Sequence, residues 1–232
     1  MARSISLVMF VLMLLMGLRL DANDLPQISP DQAGLNPEKL AEIDGLVTAA
    51  ISEKKLPGCV VLIGRPAGIA LLKVFGDKRI EPEGEPMTDD TVFDLASLTK
   101  PLATATSAMK LVEQGKLSLD ESVAKYIPEF AAEGKEAITV RDLLVHRSGL
   151  IPDNALADYD DGPLKAKERL FALKLSAPIG SKFMYSDVNF MVLGEVVSRV
   201  SGQSLNEFAR REVFAPLGMT ETMYLPGEPL RV

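Results

Sequence analysis

Residues 97–114 constrain this chain more than any other stretch. Leu98, Leu102, Ala103, Ala105, Ala108, Met109, Leu111 and Val112 make the stretch apolar or small on nearly every side, and Gly115 follows it. A helix of that composition belongs at the centre of a packed structure, with glycine as its natural stop. Pro101 narrows the reading further. Proline lacks an N–H and its ring collides with the carbonyl four residues back, so it is tolerated only in a first turn, where the N–H groups have no intrahelical partner anyway. The helix therefore starts at about Ser97, and Ser97 stands at the N-terminus of a buried helix.

The elements around it follow from periodicity. Residues 37–53 carry Leu40, Ile43, Leu46, Val47 and Ala50 at amphipathic-helix spacing, and Pro57 and Gly58 end that helix. Residues 59–63 and 69–75 are short apolar runs about a turn with Pro66 and Gly68, which predicts paired antiparallel strands. Residues 77–90 are polar and rich in Pro and Gly, hence a loop. Thr139-Val140-Arg141-Asp142 resembles a capping box with Asp in place of Glu, and opens a short helix through His146 that ends near Gly149. Residues 188–200 form another apolar helix, capped by Asp187 or Ser186 and closed by Gly202, and Ser204 starts one more that runs to Phe214. Two strands followed by many helices, without βαβ alternation or repeats, predict an α/β (α+β) fold with a helical region and an antiparallel sheet.

The ends of the chain read differently. Arg3 precedes an uncharged, largely apolar stretch over residues 5–18, then come Arg19 and Ala22, so residues 1–22 read as a secretory signal peptide with Ala22 at the cleavage site, an uncleaved membrane anchor being the alternative. That stretch falls short of the roughly 20 apolar residues that span a bilayer, so no stable membrane span is expected once it is cleaved. Secretion or periplasmic export is the implied destination. Residues 23–36 form an N-terminal extension, and residues 37–232 the folded domain. The chain is 47% hydrophobic with a net charge of −7 and no long Lys/Arg run, which excludes the electrostatic footprint of a nucleic-acid binder. Cys59, the sole cysteine, cannot form an intramolecular disulfide and reads as a buried strand residue. Asp153, Asp158, Asp160 and Asp161 lack EF-hand spacing and read as a solvated acidic loop over residues 152–162. Neither a metal nor a cofactor is expected.

Ser-x-x-Lys occurs at Ser52/Lys55, Ser97/Lys100, Ser107/Lys110 and Ser122/Lys125, so the spacing alone selects nothing. Context selects Ser97: an apolar approach, Val92 to Ala96, leads into the N-terminus of the buried helix. Helical residues three apart lie on one face with Cβ atoms about 5–6 Å apart, so Ser97 and Lys100 can touch. A serine hydroxyl needs a base, and lysine serves as one when desolvation or nearby positive charge lowers its pKa. The helix N-terminus adds partial positive charge that favours a developing oxyanion. The other pairs fall in a charged helix end, in mid-helix and in a short polar helix before Pro128. Tyr185, in a turn before the helix from Val188, can reach a neighbouring cavity, and a phenol beside an ammonium gives up its proton more easily. A Ser-His-Asp triad using His146, the only histidine, is weakened by the absence of a Gly-x-Ser-x-Gly elbow.

The segments Phe93-Asp94-Leu95-Ala96-Ser97-Leu98-Thr99-Lys100, Leu143-Leu144-Val145-His146-Arg147-Ser148-Gly149-Leu150, Tyr185-Ser186-Asp187 and Pro216-Leu217-Gly218-Met219-Thr220 resemble successive signatures of the β-lactamase-related serine hydrolases. That group includes class C β-lactamases, D-alanyl-D-alanine carboxypeptidases, D-aminopeptidases and family VIII-type esterases. The resemblance implies a β-lactamase/penicillin-binding-protein-like fold in which Ser97 carries the acyl group, Lys100 assists its deprotonation and Tyr185 relays a proton to the leaving group. Asp187, where many relatives have Asn, would be a substrate-binding residue with altered contacts to an amide, and His146 would be structural. The substrate would be an ester, a β-lactam or a D-amino-acid peptide of peptidoglycan type. Relatives continue into a Lys-Thr-Gly or His-x-Gly strand that this sequence lacks, so the chain reads as a member truncated at its C-terminus. A non-catalytic binder and an inactive fragment remain as alternatives.

Overall fold

The structure, a computed structural model, describes residues 25–226; the segment read as a signal peptide lies outside them. The described residues divide into two compact units, 25–93 and 94–226.

In the first unit, helix α1 (Pro37–Ser52) begins at Asn36, whose Oδ1 accepts the Lys39 N–H at 3.0 Å, with Pro37 in the first helical position. Strands β1 (Gly58–Arg65) and β2 (Gly68–Arg79) pair antiparallel, with Cys59 opposite Phe75 and Leu62 opposite Leu72. Cys59 lies in β1 but is half-buried rather than buried. Lys73 of β2 pairs with Asp44 of α1 at 2.7 Å and so ties helix to hairpin. Residues 77–90 are not simply a loop. β2 runs on to Arg79, and Glu85–Pro86 pairs with it as β3, Asp77 standing opposite Pro86. Charge holds this extension, since Lys78 and Arg79 both pair with Glu85, a cross-strand attraction that an apolar-alternation rule does not register.

The second unit is helical. Residues 97–114 do form a continuous helical stretch, but it is neither uniform nor buried all round. It begins as a 3₁₀ turn (Ala96–Leu98), widens into a π-helical segment (Lys100–Ala105) and becomes regular only in α2 (Thr106–Glu113). The widened segment contains Pro101, which has no N–H to offer the Ser97 carbonyl, and the Thr106 hydroxyl donates to the Pro101 carbonyl at 2.8 Å. Ala103, Ala108 and Leu111 are buried, whereas Leu98, Leu102 and Met109 are 59%, 42% and 45% exposed, so among the described residues the helix packs on one side only.

Behind α2 lie α3 (Val123–Tyr126), α4 (Val140–Leu144), α5 (Pro163–Ala172), α6 (Asp187–Ser201) and α7 (Leu205–Ala209). The Thr139/Asp142 capping box is present: the Thr139 hydroxyl accepts the Asp142 N–H at 3.1 Å, and the Asp142 carboxylate accepts the Thr139 N–H at 3.0 Å. Of the two candidate caps for α6, Ser186 serves, its Oγ accepting the Asn189 N–H at 3.2 Å, and Gly202 closes the helix at φ 71°. α7 is shorter than expected, because residues from Arg210 to Phe214 continue as a π turn. The core joins Leu111, Ile127, Phe130, Leu143, Val188, Leu193, Val196 and Phe208, and burying each such side chain contributes about 1.5–3 kcal/mol. Lys135 is the exception within it. Fully buried, its ammonium donates to the Leu173 carbonyl at 2.6 Å and sits 5.3 Å from the centre of the Phe130 ring, and desolvation holds its pKa below the ordinary lysine value. Among the described residues no helix is long and apolar enough to cross a membrane.

Candidate active site

The chain enters the first turn of the central helix through an unusual backbone. Ala96 adopts φ 44°, a left-handed conformation that costs a residue with a Cβ about 1–2 kcal/mol, and the Asp94 carboxylate accepts the Ala96 N–H at 2.8 Å. This bend delivers Ser97 to the surface, exposed, at the start of the helix. One turn on, Lys100 projects back along the same face, as the three-residue spacing predicts. Its Nζ donates to Ser97 Oγ at 3.1 Å.

Two groups from the start of α6 complete the cluster. Asp187 Oδ1 lies 2.5 Å from Lys100 Nζ, and Lys100 Nζ lies 5.0 Å from the centre of the Tyr185 ring. The Lys100 side chain is only 13% exposed, while Tyr185 is open to solvent. All four sequence-predicted site residues, Ser97, Lys100, Tyr185 and Asp187, are therefore brought together, and all belong to the second unit. The pairs at Ser52, Ser107 and Ser122 are not part of the cluster. Ser52 donates to the Ala49 carbonyl at a helix end, Ser107 is buried in α2, and Ser122 caps α3.

The electrostatics differ from the expectation in one respect. A lysine base was expected to have a depressed pKa. Burial does work in that direction, but hydrogen bonds and charge from Asp187 and Tyr185 outweigh it and leave Lys100 above its ordinary value. Lys100 is thus held as an ammonium, a donor with no lone pair to offer Ser97. Tyr185 moves the opposite way. Hydrogen bonds from Lys100 and Ser97, with the charge of Lys100, hold its phenol below the ordinary tyrosine value, against desolvation and, least of all, the negative charge of Asp187. The group in this cluster made readier to lose a proton is the phenol.

His146 lies beneath the cluster rather than in it. Its Nδ1 accepts the Ser186 N–H at 3.1 Å, and its ring stacks against Tyr185 with centres 4.6 Å apart and planes 33° apart. Buried polar groups that the sequence reading did not single out for the site hold the same turn. Ser148 donates to Asn189 Oδ1 at 2.5 Å, and Ser186 donates to the Ile151 carbonyl at 2.6 Å. A polar Asn189 among the apolar residues of α6 was the available signal, since a fully buried amide needs partners. The acidic stretch contains a short 3₁₀ turn (Leu156–Tyr159), and part of its charge is spent internally, with Asp158 accepting from Asn154 at 2.9 Å and Asp161 paired with Arg169. Among the described residues no group of three His, Cys, Asp or Glu side chains could hold a metal ion.

Comparison with known proteins gives this geometry a context. The family model described as Beta-lactamase matches residues 43–231. A curated protein of Escherichia coli (strain K12), described as "Putative D-alanyl-D-alanine carboxypeptidase", is 33% identical over 221 residues, covering 87% of this chain and 51% of the relative. Among solved structures, EstCE1, described as a hydrolase with promiscuous acyltransferase activity, aligns with a TM-score of 0.64 at 32% identity, covering 78% of this chain and 52% of that one. FmtA from Staphylococcus aureus aligns with a TM-score of 0.70 at 25% identity, covering 89% and 55%. The chain spans about half the length of the curated relatives it matches.

Proposed function

The chain belongs to the beta-lactamase family, and from that premise we propose that it is a serine hydrolase that forms an acyl-enzyme on Ser97. The observation that carries this reading is the contact of Lys100 Nζ with Ser97 Oγ at 3.1 Å, made under a phenol whose proton is loosened by the same ammonium. The substrate class is an ester, a β-lactam or a D-amino-acid peptide. The descriptions of the relatives, a carboxypeptidase and a hydrolase with acyltransferase activity, have transfer of an acyl group in common.

In this mechanism Tyr185, as phenolate, accepts the Ser97 hydroxyl proton while Oγ attacks the substrate carbonyl carbon. Lys100 stays charged, stabilising the phenolate before the transfer and the Oγ as it gains charge. The tetrahedral adduct collapses as the Tyr185 phenol returns the proton to the departing oxygen or nitrogen, which leaves the acyl group on Ser97. Water repeats the sequence in reverse and frees the acid. General acid–base transfer of this kind contributes about 10²–10⁴ in rate. Asp187 acts through Lys100 by fixing its charge, and being 39% exposed it keeps an edge for substrate.

We also propose export, with residues 1–22 removed, which N-terminal sequencing of the secreted product tests. The catalytic test is a fluorophosphonate probe followed by peptide mass spectrometry: Ser97 is labelled, and Ser97→Ala abolishes labelling. Absence of labelling in a folded sample would favour a binding protein without turnover.

A further inference from the structure

We propose that His146 is the positioning residue of Tyr185, and that its neutral imidazole, by accepting the Ser186 N–H and lying against the phenol ring, is what keeps that phenol aimed at Lys100. The inference rests on the reading of Tyr185 as the proton acceptor, and its observations are separate from that reading.

His146 is placed by the backbone, not by chance packing. Its own φ is 57°, a left-handed position, and its carbonyl accepts the Met184 N–H at 2.8 Å. Main chain at His146 and main chain at Met184 are thus locked together immediately before Tyr185. The ring then takes the next amide but one, with Ser186 N–H donating to Nδ1. Tyr185 is held between these two bonds, with its ring 4.6 Å from the imidazole and Phe190 5.1 Å from it. The Tyr185 side chain is 46% exposed, and with its hydroxyl turned to Lys100 and Ser97, the direction of the ring is set from behind by this stack and the pinned amides on either side.

The arrangement demands one protonation state. Nδ1 is an acceptor, so the proton of the neutral ring resides on Nε2, and an imidazolium would need a hydrogen on Nδ1 where the Ser186 N–H already points. The charged groups that face the ring act in opposite senses: Lys100, from the π-helical segment, opposes imidazolium, and Asp187, at the start of α6, favours it. Burial, the largest influence, joins Lys100 in holding the pKa below the ordinary imidazole value. Tyr185 is the remaining titratable neighbour. Acidification that protonates His146 therefore breaks the Ser186 bond and releases the phenol from Lys100.

His146 is the only histidine, so its ring nitrogens can be observed without assignment. Long-range ¹H–¹⁵N spectra of the protein across pH should show the Nε2–H tautomer and a midpoint below about 6.5. Tyrosine ionisation followed by ultraviolet difference, with Tyr185→Phe to identify the Tyr185 contribution, should show that His146→Phe returns Tyr185 towards its ordinary value. His146→Asn, whose amide oxygen replaces Nδ1 and whose backbone tolerates the left-handed position, should keep Tyr185 near its wild-type behaviour. Labelling of Ser97 should fall about a hundredfold in His146→Phe, and in His146→Asn it should lose the acid limb that follows the imidazole midpoint. If no form is labelled at any pH, the hydrolase reading fails, and the spectra still decide the role of His146. An Nδ1–H tautomer, or a Tyr185 titration unmoved by His146→Phe in a folded sample, overturns the proposal.

Discussion

Asp187 Oδ1 and Lys100 Nζ stand 2.5 Å apart, and this ion pair helps hold Lys100 as an ammonium against the opposing effect of its burial. A carboxylate in contact with the ammonium stabilises its charged form, and the phenol beside it is the group whose proton is loosened.

Asp187→Asn should shift the pH dependence of Ser97 labelling to lower pH on both limbs. Losing the carboxylate removes a charge that opposes ionisation of Tyr185, so phenolate forms at lower pH. It also removes the chief partner that keeps Lys100 charged, so the alkaline loss begins earlier. The sign for stability follows the same logic. Lys100 has a raised folded-state value, so its contribution is fully present below the ordinary lysine value and fades as pH climbs through the raised one. Labelling rates from pH 5 to 11 check this, and an unchanged profile would show that the ion pair does not govern the site.

Tyr185→Phe should slow labelling by about 10²–10⁴-fold with little effect on stability, because the side chain is open to solvent and only its hydroxyl is lost. Lys100→Ala should also suppress labelling, but with a loss of stability, since it removes the ion-pair partner of the buried Asp187 Oδ1. Adding Asp187→Ala to Lys100→Ala should restore stability and not labelling. Thermal unfolding set beside labelling separates the two effects.

Lys135→Met should be neutral or stabilising, whereas Lys135→Ala should cost about 2–5 kcal/mol through the cavity it opens. Burial lowers the folded-state pKa of Lys135, so stability should rise with pH as the solution approaches the ordinary lysine value. Thermal unfolding between pH 7 and 10 should show that slope in the wild type and a weaker one in Lys135→Met. Parallel slopes would count against the assignment.

Gly149→Ala should destabilise the chain far more than Gly115→Ala. Both glycines are left-handed, at φ 82° and 68°, but a Cβ at Gly149 would fall 2.2 Å from the Ala177 carbonyl, while one at Gly115 meets nothing within 4 Å. Gly115→Ala should therefore cost only the backbone term, about 1–2 kcal/mol, as denaturant titration of both variants would measure.

Much of this was legible in the sequence because local rules were not overridden. Pro101 located the helix start, Thr139 and Asp142 announced their capping box, and the three-residue spacing of Ser97 and Lys100 brought their side chains together. What stayed hidden depended on long-range partners. Lys100 is held charged chiefly by a residue 87 positions further on, Asp187, with Tyr185, whereas burial of Lys100 alone works in the opposite direction. Helix α5 escaped notice because only Leu170 and Phe171 of it are buried, too few to make an apolar stripe. Nothing in the sequence distinguishes Lys135 from a surface lysine, because what encloses it is the packed core around Phe130 and Leu173. The Glu85 pairing was unreadable for the same reason, since it is a contact between charged residues in a stretch with turn-like composition.

The left-handed Ala96 implies an uneven tolerance in a saturation library of the residue before Ser97. Glycine should be accepted, and asparagine and aspartate nearly so, since all three visit that conformation readily. Valine, isoleucine and threonine should drop out, although by size they differ little from residues the exposed position could accommodate. Selection there would act on main-chain shape, and a substitution table built on polarity or volume would rank the survivors wrongly.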